Sequence, residues 1–62
     1  MKLTGRENEI MELMSKGFLN KEIAIRLSIS KKTAESHIRR IYIKMQARNR
    51  SNAVSMFVKN YL

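Results

Sequence analysis

The 62-residue chain contains no cysteine, proline, tryptophan or aspartate, and only two glycines. Each absence excludes something. Without cysteine there is no disulfide framework and no thiolate metal site, and a reducing compartment is the default expectation. Without proline, and with glycine confined to positions 5 and 17, little interrupts helix. An all-helical chain with short connections is therefore expected. No apolar run approaches the roughly 20 residues that cross a bilayer, and the start of the chain lacks the charged-then-apolar pattern of a signal peptide. His37 is the only histidine. It has no second histidine, cysteine or aspartate to work with, so no catalytic residues, no metal site and no cofactor are expected. Glu7, Glu9 and Glu12 stand at i, i+2, i+5, which is not a metal-ligand spacing on a helix. At this length residues 1–62 are expected to form a single domain that must hold by packing alone.

What the chain does have is positive charge. Thirteen Lys and Arg face five acids, a net charge of +8 and a pI near 10.5. The excess is concentrated. Residues 31–50 carry seven basic side chains against Glu35 alone, whereas residues 1–30 carry five basic and four acidic ones. One sign gathered on one segment is the footprint of a nucleic-acid binder. A merely solvated helix face has the same composition, and charge by itself does not separate the two.

The pattern of apolar residues places four helices. Thr4 followed by Glu7 is a capping box, T-x-x-E, in which each side chain satisfies an orphan backbone N–H. Ile10, Leu13 and Met14 recur at helical spacing and Gly17 supplies a left-handed stop, predicting a first helix over 5–16. Asn20 is a candidate cap for a second helix over 20–27, with Ile23, Ala24 and Leu27 on one face. Ser30 caps a third, predicted over 31–45. At 100° per residue its Ala34, Ile38, Ile41 and Met45 gather on one side with Tyr42 beside them, and Lys32, Ser36, Arg39, Arg40 and Ile43 gather on the other. Ser51 is read as the cap of a fourth helix over 51–60, where Val54, Phe57, Val58 and Tyr61 follow the i, i+3, i+4, i+7 pattern. Val58 and Tyr61 are read either as core or as a dimer seam. A short helix, a tight turn and a longer basic helix with an apolar inner face form a helix-turn-helix, in which one helix braces another that is free to enter a major groove.

The residues also carry a resemblance. An opening L-T-x-R-E-x-E, then G-x-x-N-K-E-I-A, then L-x-I-S-x-x-T-x-x-x-H, and finally K-M-x-A-x-N-R-S-x-A-V occur in order over residues 3–54. This ordered set resembles the DNA-binding domain of the LuxR/FixJ (GerE-like) bacterial transcription regulators. The resemblance implies four helices, a third helix in the major groove, and binding of double-stranded DNA as a homodimer through the fourth helix. RNA polymerase is a further implied partner, and the cytoplasm, on the nucleoid when bound, the implied location. It places Glu35, Ser36 and Arg39 at base-facing sites. Lys31, Lys32, Thr33 and Arg40 look like phosphate or groove-edge contacts, with Lys21 and Arg48 as further phosphate anchors. Relatives usually carry a receiver or sensing domain before this one. The chain is thus expected to be the C-terminal part of a longer regulator, or else to stand alone.

The wheel agrees for Ser36, Arg39 and Arg40, and puts Glu35 nearer the flank. There Glu35 either accepts from a cytosine amino group or pairs with Arg39 at i+4. His37 lies beside the buried stripe, where an orienting hydrogen bond or a phosphate contact suits it. Two departures from the family pattern bear on the fold. Leu19 stands where Ser or Thr is common, shifting capping to Asn20. Gln46 stands where glycine is frequent, so the third helix is expected to end differently or run slightly longer. Two rival functions remain at this point: a promoter-reading helical domain like those of sigma factors, and a helical protein-docking module that never touches DNA.

Overall fold

The computed structural model describes residues 2–61, the side chain of Tyr61 excepted. Four helices follow one another: α1 (Gly5–Ser15), α2 (Asn20–Leu27), α3 (Lys31–Met45) and α4 (Arg50–Tyr61). No strand occurs among the described residues, and the all-α architecture expected from the sequence is the one observed. The capping box is present: Glu7 N–H donates to Thr4 Oγ1 at 3.2 Å and Thr4 N–H donates to Glu7 Oε1 at 2.9 Å. Ser30 caps α3 by accepting from Thr33 N–H at 3.0 Å.

Two other caps differ from expectation. At α2 the cap position is Leu19, whose side chain has no acceptor, and Glu22 Oε1 reaches back to Leu19 N–H at 2.7 Å. Asn20 does not cap, because its Oδ1 is taken by Arg50. At α4 the helix begins at Arg50, one residue early, and Asn49 rather than Ser51 supplies the cap. Asn49 Oδ1 accepts from Asn52 N–H at 2.8 Å, while Asn52 Oδ1 accepts from Arg48 N–H at 2.9 Å. Ser51 already stands inside the helix, one residue past its start, so the cap falls to Asn49, and the two asparagines close the turn from both sides.

The first three helices end in the same way. After α1, Gly17 (φ 92°) turns left-handed, with Phe18 N–H donating to Leu13 O and Gly17 N–H to Met14 O at 3.2 and 3.0 Å. After α2, Ser28 (φ 56°) does so, with Ile29 N–H to Ala24 O at 2.9 Å and Ser28 N–H to Ile25 O at 3.2 Å. After α3, Gln46 (φ 56°) does so, with Ala47 N–H to Tyr42 O at 3.0 Å and Gln46 N–H to Ile43 O at 3.2 Å. Each is a Schellman motif. Gln46 therefore does not extend α3. It takes the strained left-handed cap, because the following turn must bring α4 back across α1.

The core forms where the inner faces meet. Ala34, Ile38, Ile41 and Met45 of α3 are all buried, as the wheel requires, together with Ile10, Met11 and Met14 of α1 and Ile23 and Ala24 of α2. Leu3 closes one end. Burying an Ile, Met or Phe side chain stabilises by roughly 1.5–3 kcal/mol, and conformational entropy offsets most of that sum. The face of α4 is turned relative to expectation: Ala53 and Phe57 are buried, Val54 is half-buried, and Val58 is 47% exposed. Small Ala53 lets α4 lie close to its neighbours, which turns Val58 outward. Val58 is therefore not core within this chain, and the Tyr61 side chain lies outside the described residues.

Candidate nucleic-acid interface

Seven basic side chains occupy residues 31–50, and the fold divides them by use. Lys44 turns inward from the edge of α3. Its Nζ meets both carboxylate oxygens of Glu7 at 2.8 and 2.9 Å, joining the C-terminal half of α3 to the start of α1. The Glu7 side chain is only 5% exposed. Burial pushes its carboxyl up, but the Lys44 hydrogen bond and charge and the Thr4 amide and hydroxyl outweigh it and hold the group below its ordinary 4.5. Arg50 is also committed. It donates from Nη1 to Asn20 Oδ1 at 2.8 Å and from Nη2 to Phe18 O at 2.6 Å, clamping the head of α4 to the α1–α2 turn. The Phe18 ring lies under the Arg26 guanidinium at 4.3 Å. Lys44 therefore leaves the basic outer face to which composition assigned it.

What remains faces solvent on α3. Lys32, Ser36, Arg39, Arg40 and Ile43 are exposed on the side opposite the buried stripe, Ile43 by 71%. Lys32, Arg39, Arg40 and Arg48 make no ion pair among the described residues. Lys31 approaches Glu35 Oε2 at 4.0 Å, a loose contact with both side chains exposed. Glu35 thus pairs with the residue four before it and not with Arg39. Lys31 stands at the α3 start, where the adjoining α2 start leaves the pair room. Pairs this exposed contribute about 0–1 kcal/mol.

Two shallow concavities run along the flanks of this outer stripe. One, of about 250 Å³, is lined by Ser30, Lys32, Thr33, Ser36, His37 and Arg40. The other, of about 410 Å³, lies between the starts of α2, α3 and α4 and is lined by Leu19, Asn20, Lys21, Lys31, Glu35 and Arg50. The structure thus brings Lys32, Thr33 and Arg40 together on one flank and Lys21, Lys31 and Glu35 on the other. Ser36 stands at the lip of the first, Arg39 on the ridge between them, and Arg48 apart in the α3–α4 turn. Sequence reasoning missed both long-range fastenings, Lys44–Glu7 and Arg50–Asn20. Their partners lie 37 and 30 residues apart, and no local pattern signals them.

The outer ridge with cationic flanks, carried by a helix that another helix braces through a three-residue turn, is the helix-turn-helix form. Over residues 1–57 the chain matches the family model described as bacterial regulatory proteins, luxR family. The chain belongs to that family. As a luxR-family chain it is a DNA-binding domain of the transcription-regulator type and not an enzyme. It is similar to a probable transcriptional regulator, ycf29, of Cyanophora paradoxa, with 39% identity over 59 residues, covering 95% of this chain and 28% of that protein. It is also similar to the transcriptional regulatory protein DegU of Brevibacillus brevis, 41% identical over 58 residues, 94% of this chain and 25% of DegU. A third relative is the response regulator protein VraR of Staphylococcus aureus, 42% identical over 52 residues, 84% of this chain and 25% of VraR. The luxR-family chain spans about a quarter of the length of these curated relatives. Among the described residues no helix is long and apolar enough to cross a membrane, and no group of His, Cys, Asp or Glu is placed to hold a metal ion.

Proposed function

We propose that this luxR-family chain binds double-stranded DNA sequence-specifically, as the DNA-reading part of a bacterial transcription regulator, with α3 in the major groove. The observation that carries the proposal is the free outer ridge of α3 between two basic concavities. A helix with its side chains is about 10–12 Å across and the major groove is about 12 Å wide, so phosphates meet the flanks while bases meet the ridge. Ser36 and Arg39 read bases, Arg39 through both nitrogens to a guanine edge. Lys32, Thr33 and Arg40 anchor the phosphates of one strand, and Lys21, Lys31 and Arg48 those of the other. Glu35 sits beside Lys31, at the edge of the reading surface, where it accepts from a cytosine amino group. Two copies meet through α4, on which Val58 is a half-exposed β-branched side chain. The names of the relatives, regulators of transcription, support the same role for a longer protein carrying this domain.

Selection of bound duplexes from random DNA tests the proposal. It should enrich a two-fold symmetric site with half-sites about one helical turn apart. On that site Arg39→Ala should lose roughly 1–3 kcal/mol and relax one base position. Lys32→Ala should weaken every sequence alike and flatten the salt slope by about one. A flat salt dependence, with no enriched site, would leave a protein-docking module as the function instead.

A further inference from the structure

The imidazole of His37 is half-buried, yet it makes no hydrogen bond or ion pair among the described residues. No buried side-chain nitrogen or oxygen among them lacks a partner, so its ring nitrogens reach the surface. His37 lines the concavity on the outer flank of α3, whose lining contains no carboxylate. Of the other polar groups there, all but Ser30 have donors to spare among the described residues. Lys32 and Arg40 are cations without an ion-pair partner among the described residues. Ser30 donates its hydroxyl hydrogen to Thr33 Oγ1 at 2.8 Å, which leaves the Thr33 hydroxyl hydrogen free, and the Ser36 hydroxyl is unengaged. An imidazole carries an N–H donor in either protonation state. A hollow lined by two cations and several unspent N–H and O–H donors is built for an oxyanion with several acceptor oxygens.

We propose that this concavity seats one phosphodiester of the DNA backbone, with His37 as a direct donor to it alongside Lys32, Thr33 and Arg40. The inference rests on the DNA-reading function above and adds a residue and a single shared ligand to it. Thr33, His37 and Arg40 follow at i, i+4, i+7 and so point along one edge of α3. A phosphate held on that edge sets how deeply the helix enters the groove and which base pair meets Ser36.

Two variants separate this from a purely structural role. His37→Phe keeps a ring of similar shape and removes the donor, whereas His37→Gln removes the ring and keeps an N–H of similar reach. Both are measured, with folding verified by circular dichroism, on the selected duplex and on duplexes carrying one uncharged methylphosphonate at each backbone position in turn. His37→Phe should lose affinity about ten-fold, the size of a hydrogen bond to a charged acceptor, on all sequences alike. His37→Gln should stay within about three-fold of the wild type. At one backbone position the methylphosphonate should weaken the wild type and remove most of the difference between it and His37→Phe. Lys32→Ala should couple to that same position. Wild-type affinity in His37→Phe, ten-fold loss in His37→Gln, or an unchanged gap at every methylphosphonate would overturn the inference. If His37→Phe did not fold, the glutamine arm would still decide. Insensitivity of the wild-type protein to every methylphosphonate would instead overturn the DNA-reading function itself.

Discussion

Replacing Gln46 with glycine removes backbone strain without touching a packed side chain, since Gln46 is exposed. In the left-handed conformation an L-residue is disfavoured by roughly 1–2 kcal/mol. Glycine avoids this but loses about 0.5–1 kcal/mol more in chain entropy on folding. The net expectation for Gln46→Gly is a gain of about 0.5–1 kcal/mol, and the same holds for Ser28→Gly, which has the same φ of 56°. For a domain of this size the gain corresponds to roughly 2–8 °C in Tm. Gly17 provides the internal control. A Cβ placed there would meet nothing within 4 Å, so Gly17→Ala isolates the cost of φ 92° and should lose about 1 kcal/mol. Urea titration followed by circular dichroism reads all three variants, and the midpoint should move while the slope stays constant. A lower midpoint for Gln46→Gly with unchanged slope would refute the reasoning, because it would mean the glutamine side chain contributes more than its backbone costs.

Four further outcomes are expected. Lys44→Met leaves a buried Glu7 carboxylate with only the Thr4 contacts; since Lys44 is itself partly exposed, the loss should be about 2 kcal/mol, read by thermal melting. Because Glu7 titrates below its ordinary value when folded, it stabilises the wild type above about pH 4.5 and that contribution is lost as pH falls further. Melts between pH 3 and 6 should show this fall in wild type and a shallower one in Lys44→Met. Arg50→Gln should cost about 1–2 kcal/mol of stability by leaving Asn20 Oδ1 and Phe18 O with weaker partners, an effect that chemical denaturation measures directly. Glu35→Gln removes the one acid of the basic segment, so affinity for random duplex should rise a few-fold at low salt with a steeper salt slope; unchanged non-specific binding together with lost site preference would assign Glu35 to base reading alone.

Much of this architecture was legible because it is local. The T-x-x-E box, the 3.6-residue recurrence of Ala34, Ile38, Ile41 and Met45, and the stop at Gly17 all act within a turn or two of helix, and each formed where the pattern put it. Capping was less legible, because several acceptors competed for the same orphan amides. Asn49 prevailed over Ser51 two residues on, and Asn20 was drawn off by an arginine thirty residues away. The face of α4 was misjudged because its apolar residues cover more than half its circumference, so periodicity left open which of them would meet α1. Of the candidate contacts, the outward set on α3 followed from the wheel, whereas the partner of Glu35 did not, since Lys31 and Arg39 lie four residues away on either side.

The sequence alone determined the helices, the inner and outer sides of α3, and the ordered motifs that mark the luxR family, since all of these depend on neighbours along the chain. Tertiary structure decided which cations are free to meet DNA. Lys44 and Arg50 look like the rest of the basic segment in sequence, but folding brings Glu7 and the Phe18–Asn20 turn to them and uses their charge inside the molecule. The hollow lined by Lys32, Thr33, His37 and Arg40 lies along one edge of α3 and follows instead from helical spacing. Charge and hydrogen-bonding capacity are properties of residues. Whether they are spent within the fold or left for a partner depends on distances that only packing sets.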